Sequence, residues 1–122
     1  MKNVILADRQ DITKAGFIYF LNLSRNVNEV SEADNKKELL KSLIEHPDAL
    51  VILDYTLFDF TGPEDLLIMS AKFKSTHWVL FSEELSDEFL RALDVNCNSF
   101  SIIFKDCSKE EINSALEFAF KN

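Results

Sequence analysis

The chain has 122 residues, 47% of them hydrophobic and 11 of them Phe, which suits one domain whose core needs no disulfide or metal staple. Its 13 Lys and Arg against 21 Asp and Glu leave a formal net charge of −8, the wrong sign for a surface that grips nucleic-acid phosphates. Met1-Lys2-Asn3 leads into a short apolar run, far from a signal peptide or a membrane span, and Cys97 and Cys107 lack C-x-x-C spacing, so a reduced cytoplasmic domain with no membrane contact is expected.

Apolar β-branched runs alternate with longer stretches at helical spacing, the pattern of βα units around a mostly parallel sheet, and five strands with five helices fit. The first strand covers about 2–8. A helix over about 11–22 puts Ile12, Ala15, Tyr19 and Leu23 on one face. Val27 to Ser31 reads as a short second strand. Asn35 with Glu38 three residues later resembles a capping box, opening a helix with Leu39, Leu40, Leu43 and Ile44 inward, and His46-Pro47-Asp48 ends it. The third strand, about 49–54, shows no polar alternation, as expected of a central strand covered on both faces. Gly62-Pro63 marks a turn with proline at a first helical position, leading to Leu66, Leu67 and Phe73. A fourth strand over about 77–82 precedes a helix carrying Leu85, Phe89 and Leu93. The fifth strand is about 100–104, and Ser108 with Glu111 caps a last helix burying Ile112, Ala115, Leu116 and Ala119. All of 1–122 therefore reads as a single domain.

Four of the strand-like runs end on polar residues of different kinds: Asp8, Asp54, Ser82 and Lys105. In an open α/β sheet the ligand site lies at the carboxyl ends of the strands, so these side chains are expected to meet as one anion- or metal-handling pocket. Each has a plainer reading. Asp8 could pair with Arg9 or Lys105, and Ser82 alone would be a turn residue. Asp54 is the hardest to explain away, because an acid closing a fully apolar strand costs desolvation unless it has partners. His46 and His77 have no metal or dyad spacing, and Glu83, Glu84, Asp87 and Glu88 read as a solvated helix start.

The order of Asp8, then Leu53-Asp54 with Gly62 eight residues on, then Phe81-Ser82, then Phe104-Lys105-Asp106-Cys107-Ser108 resembles the receiver domain of bacterial response regulators, over the whole chain. The segment 105–108, and Ala7-Asp8 with Gly16 downstream, are similar to the subfamily whose receivers usually precede a helix-turn-helix DNA-binding domain. The resemblance implies a flavodoxin-like (βα)5 three-layer sandwich with a five-stranded parallel sheet in the order 2-1-3-4-5. It implies Asp54 as phosphoacceptor, Ser82 as the hydroxyl turning toward the phosphoryl group and Lys105 as its ion-pair partner. It also implies Mg²⁺ held by Asp8, Asp54 and the Thr56 carbonyl, a sensor histidine kinase upstream, a C-terminal DNA-binding output domain regulating transcription, and a homodimer. The chain itself is then no enzyme. These residue types suit the chemistry: an aspartate attacks a phosphoryl donor when a divalent cation offsets charge on the transferring group, while Lys105 acts as a point charge on its oxygens.

Arg9 departs from that pattern. Family members usually carry two adjacent acids at the end of the first strand, and Arg9 stands where the second belongs. With an acid there, the pocket of Asp8, position 9, Asp54 and Lys105 has three negatives and one positive, a balance of −2; with arginine it has two of each, a balance of 0. Unit charges about 4–6 Å apart interact by roughly 1–4 kcal/mol at effective dielectrics of 20–80, so weakened Mg²⁺ binding is expected. The alternative is a pseudo-receiver, in which Arg9 pairs with Asp54 or Asp8 and the domain serves in protein interaction or dimerisation. Phe58 stands where proline is common, Asn96-Cys97-Asn98 replaces a glycine-rich loop, and Ile102 occupies the place of an aromatic switch residue. An enzyme on the same fold, a phosphatase or flavin protein, is disfavoured because neither of the two glycines, Gly16 and Gly62, directly follows the first strand as a phosphate loop requires.

Overall fold

A computed structural model describes residues 2–8, 10–22, 26–54, 58, 60, 63–82, 86–89, 91, 100–104 and 108–121. The strands are β1 (Lys2–Ala7), β2 (Val27–Ala33), β3 (Leu50–Leu53), β4 (His77–Ser82) and β5 (Phe100–Phe104). The helices are α1 (Asp11–Asn22), α2 (Lys36–Glu45), α3 (Pro63–Lys72), α4, whose described residues are 87–89 and 91, and α5 (Lys109–Lys121). All four strand pairings are parallel and the order is β2-β1-β3-β4-β5, as the resemblance implies.

β3 shows why this sheet is central. Its four residues are all buried, with Leu50 and Ile52 packing into one core layer and Val51 and Leu53 into the other. Each such side chain contributes about 1.5–3 kcal/mol by leaving water, so a polar residue at any of the four would be costly. One layer packs the sheet against α2 and α3 through Leu39, Leu43 and Leu66, and the other against α1 and α5 through Phe17, Leu21 and Leu116. Three layers result.

Helix starts follow their sequence signals. The Asn35 side chain accepts from the Glu38 amide at 2.8 Å while Glu38 Oε1 accepts from the Asp34 amide at 3.2 Å. Glu111 N donates to Ser108 Oγ at 3.2 Å, and the Ser86 hydroxyl accepts from Phe89 N at 3.1 Å. Pro63 is the first residue of α3. Such caps satisfy amides that the helix leaves open, each worth about 1 kcal/mol.

Several expectations need correction. α1 buries Lys14, Phe17 and Leu21, and the face carrying Ile12, Ala15 and Tyr19 is turned outward. The helix is apolar nearly all round, so periodicity does not select a face; the edge-on packing of Phe17 against Phe81, 4.8 Å between ring centres, does. Leu23 lies outside the described residues. Ile44 is exposed, leaving Leu39 and Leu43 as the buried residues of α2. β2 runs two residues further than expected, to Ala33, because Ala33 pairs with Ala7. Leu85 and Leu93 lie outside the described residues, while Phe89 is buried.

Two measurements test this packing. Gly16 lies mid-helix with a negative φ, and a Cβ added there would meet nothing within 4 Å, so Gly16→Ala should raise stability in dilute urea titrations by about 0.5–1 kcal/mol. A loss instead would show that something inside the fold needs the glycine. His77 is buried at the amino end of β4, its Nε2 3.1 Å from Ser101 Oγ; burial, then repulsion by Lys2, holds its pKa below the ordinary 6.5. Because the folded value is depressed, the stability it contributes is present above pH 6.5 and is lost as pH falls toward and through the folded value. The slope is at most about 1.4 kcal/mol per pH unit, and His77→Gln should flatten the stability curve in that window.

Candidate functional site

In a sheet ordered 2-1-3-4-5 the direction of winding reverses between β1 and β3, and a crevice opens beyond their carboxyl ends. Asp8 and Asp54 are the residues that follow these two strands. Ala7 pairs with Leu53, and Asp54 N donates to the Ala7 carbonyl at 3.1 Å, so the ladder fixes both acids at the same level in neighbouring chains. Adjacent strands lie about 4.8 Å apart, which brings the two backbones close at this edge. Both residues are nearly inaccessible, Asp8 5% and Asp54 1% exposed. An ionised carboxylate tolerates that burial only with partners that compensate lost water.

Local structure supplies part of the compensation. Asp8 Oδ1 accepts from the Gln10 amide at 2.7 Å, a short bond that turns the chain toward α1. The Asp54 carbonyl accepts from Phe58 N at 3.1 Å, and Phe58 is buried in the α2/α3 layer with its ring 5.7 Å from Phe60. Lys36 lies 5.7 Å from the Phe60 ring centre and pairs with Asp65 at 3.0 Å. Phe58, conspicuous in the sequence only as a departure from proline, thus anchors the chain just beyond Asp54.

β4 reaches further than β3. Leu53 pairs with Leu80, so Ser82, two residues on, stands about 6–7 Å beyond the Leu53 level, and it pairs with Phe104, the last residue of β5. The ends of β1, β3, β4 and β5 therefore share one edge of the sheet. Arg9, Thr56 and Lys105 lie outside the described residues. A pair of carboxylates is a sufficient protein contribution for Mg²⁺, which is typically held by one or two of them with waters and phosphate oxygens. Among the described residues no group of three or more His, Cys, Asp or Glu could hold a metal.

Sequence reasoning missed Lys14. Its side chain lies largely against the protein, and its ammonium is 3.1 Å from Glu32, 3.2 Å from Asp34 and 3.7 Å from Asp11. Hydrogen bonds to Glu32 and then Asp34 push its pKa well above the ordinary 10.5, outweighing desolvation. Asp34 follows β2 as Asp8 follows β1, so three acids stand at the ends of three adjacent strands. Lys14 binds the outermost and leaves Asp8 and Asp54 as the central pair. The helical spacing that displays Lys14 in the sequence gives no sign of partners 18 and 20 residues away.

No family model matches the sequence. The sensory transduction protein LytR of Staphylococcus epidermidis is 29% identical over 112 residues, 92% of this chain and 43% of the relative, so the chain spans less than half of that protein's length. A DNA-binding response regulator of the LuxR family from Staphylococcus aureus superposes with a TM-score of 0.79 at 19% identity, covering 98% of this chain and 99% of that one. The isolated receiver domain of RcsB from Salmonella enterica serovar Typhimurium, solved with the phosphomimetic BeF3−, gives 0.82 at 23% identity, covering 99% and 89%.

Replacing Lys14 by Met keeps the stem and removes the charge, leaving Glu32 and Asp34 to repel. The expected loss is about 1–2 kcal/mol by urea unfolding at low salt, reduced from a buried pair's value because both acids are partly exposed. With its folded pKa raised, the lysine's contribution is present throughout the range below 10.5 and fades only as pH climbs through the higher folded value. Unchanged stability would mean that the cluster contributes nothing.

Proposed function

We propose that the chain is a response regulator receiver domain, which accepts a phosphoryl group on Asp54 from a sensor histidine kinase and passes the change to an output domain; the fold likeness and the LytR relative support this reading. The observation that carries this reading is the buried pair Asp8 and Asp54 at the switch point of the sheet. An Asp54 carboxylate oxygen forms the bond to phosphorus as the phosphorus–nitrogen bond of the donor histidine breaks, and the imidazole nitrogen keeps the electron pair and takes a proton. Asp8 and Asp54 would hold Mg²⁺, with the Thr56 carbonyl as a further oxygen; when bound, the ion offsets charge on the transferring group. Lys105 pairs with the phosphoryl oxygens and the Ser82 hydroxyl donates to one of them, drawing the ends of β4 and β5 toward Asp54. The output is read on that side of the molecule. A C-terminal DNA-binding domain controlling transcription is the natural output, since one matched structure is a DNA-binding response regulator and the LytR relative is longer than this chain. The protein acts in the cytoplasm; among the described residues no helix is long and apolar enough to cross a membrane.

Arg9 supports a second reading, a pseudo-receiver whose guanidinium replaces the cation and fixes one state. One experiment separates the two. Incubation with a small phosphodonor and Mg²⁺ should add one phosphoryl mass to the intact protein, none to Asp54→Asn, and little to Asp8→Asn. Arg9→Asp should speed the labelling by about tenfold or more, through tighter metal binding. No labelling at any Mg²⁺ concentration, with labelling restored in Arg9→Asp, would establish the pseudo-receiver.

A further inference from the structure

Phe58 makes a bond that the residue common at its position could not. Proline, frequent four residues beyond the acceptor in the family that the sequence resembles, has no amide hydrogen, whereas Phe58 N donates to the Asp54 carbonyl at 3.1 Å. That bond closes a single turn and restrains the backbone of the residue whose carboxylate is buried at the edge of the sheet. The far end of the turn is secured by the ring: Phe58 is buried in the layer of α2 and α3, 5.7 Å from the Phe60 ring at a tilt of 42°. Phe60 is held in turn. The Lys36 ammonium stands 5.7 Å over its ring centre and pairs with Asp65 at 3.0 Å. Lys36 is the first residue of α2 and Asp65 the third of α3, so one ammonium joins two helix starts to a ring two residues beyond Phe58.

We propose that Lys36 is a positioning residue for Asp54: its contacts with Phe60 and Asp65 brace Phe58 in the core, and Phe58, through its amide, keeps the backbone of the acceptor in the place from which it attacks. The part of this role that concerns phosphoryl transfer rests on the reading of Asp54 as acceptor. Placement matters here more than strength. The side chains of Lys36 and Asp65 are 40% and 24% exposed, so their ion pair is screened by solvent and adds little to global stability, and a cation over a partly exposed ring adds a similarly small amount. Local opening responds to such small contributions, because a turn can come apart while the sheet stays folded. Chemistry responds as well, since displacing a reacting group by about 1 Å can lower a rate by about 100-fold. A brace is separable from a plain field effect by sign. Lys36 and Asp65 carry opposite charges, so if they act on the crevice only through space, neutralising one reverses the effect of neutralising the other. If they act as a brace, losing either loosens the same turn.

Amide hydrogen exchange of the metal-free, unphosphorylated protein tests the brace without reference to phosphate. In Lys36→Met and in Asp65→Asn the Phe58 amide should exchange about three- to tenfold faster than in wild type. The amides of His46 and Phe73, bonded to Ser42 and Met69 at the far ends of α2 and α3, should keep their rates. Lys36→Arg retains a cation that stacks on the ring and forks onto the carboxylate, and should restore the wild-type rate at Phe58. Phosphoryl labelling then reads the consequence, in wild type or, where only that variant labels, in Arg9→Asp. At saturating Mg²⁺, Lys36→Met and Asp65→Asn should both slow it by about three- to tenfold, and Lys36→Arg should not. Unchanged exchange at Phe58, or a general rise that includes His46 and Phe73, overturns the proposal. Labelling that is as fast as the parent's in both neutral variants, or that moves in opposite directions in the two, overturns it too. Label in none of these proteins, alongside faster exchange at Phe58, rejects Asp54 as acceptor while upholding the brace.

Discussion

Two carboxylates are held out of water at the ends of adjacent central strands, and most of what is distinctive in this domain follows from keeping them there. The parallel ladder between β1 and β3 sets them side by side, and the apolar residues preceding each, Leu6-Ala7 and Ile52-Leu53, are buried. Shifting either strand by one residue would exchange core and edge residues, so the register is fixed by hydrophobic burial before any chemistry is considered. The acids have no such driving force of their own. They are carried to this edge by the strands that precede them, and a cation, an oxyanion held through a cation, or a neighbouring base is what their burial calls for.

The surroundings separate this pair from the other charges. Lys14 gathers Glu32, Asp34 and Asp11 on the β2 side. Lys36 ties α2 to Asp65 of α3 across the Phe60 ring, and Phe58 anchors the chain beyond Asp54 in the core. The chain has eight more acids than bases; among the described residues, Lys14 engages Glu32, Asp34 and Asp11, and Lys36 engages Asp65. Under the proposed reading, the formal charge around a phosphoryl group depends on a few residues, and Arg9 is the one that departs most from the receiver pattern the sequence resembles.

The fold was legible because β3 and its neighbours have no polar alternation and because Asn35, Pro63 and Ser108 each begin a helix with a recognisable chemical device. The inward face of α1 was not legible, since Ile12, Phe17, Ile18, Tyr19, Phe20 and Leu21 surround the helix axis and tertiary contacts such as that of Phe17 with Phe81 select among them. At the site, Asp8 and Asp54 could be singled out as polar ends of apolar runs. Lys14 could not, because its partners come from a different strand, and Phe58 was visible as an oddity without its anchoring contact. Gly16 entered the sequence reading only downstream of Ala7-Asp8 in the motif pattern and as one of the two glycines. The structure gives it a second aspect, an uncovered position on an uncharged face.

Paramagnetic Mn²⁺ titrated into ¹⁵N-labelled protein, with amide line broadening followed residue by residue, tests the central claim most directly. The backbone amides flanking Asp8 and Asp54 should broaden first and together, and Asp8→Asn should shift that onset to higher metal concentration. Broadening that begins instead at the Lys14 acids or along the exposed first turn of α5, with the ends of β1 and β3 unaffected, would contradict a cation site between these two carboxylates.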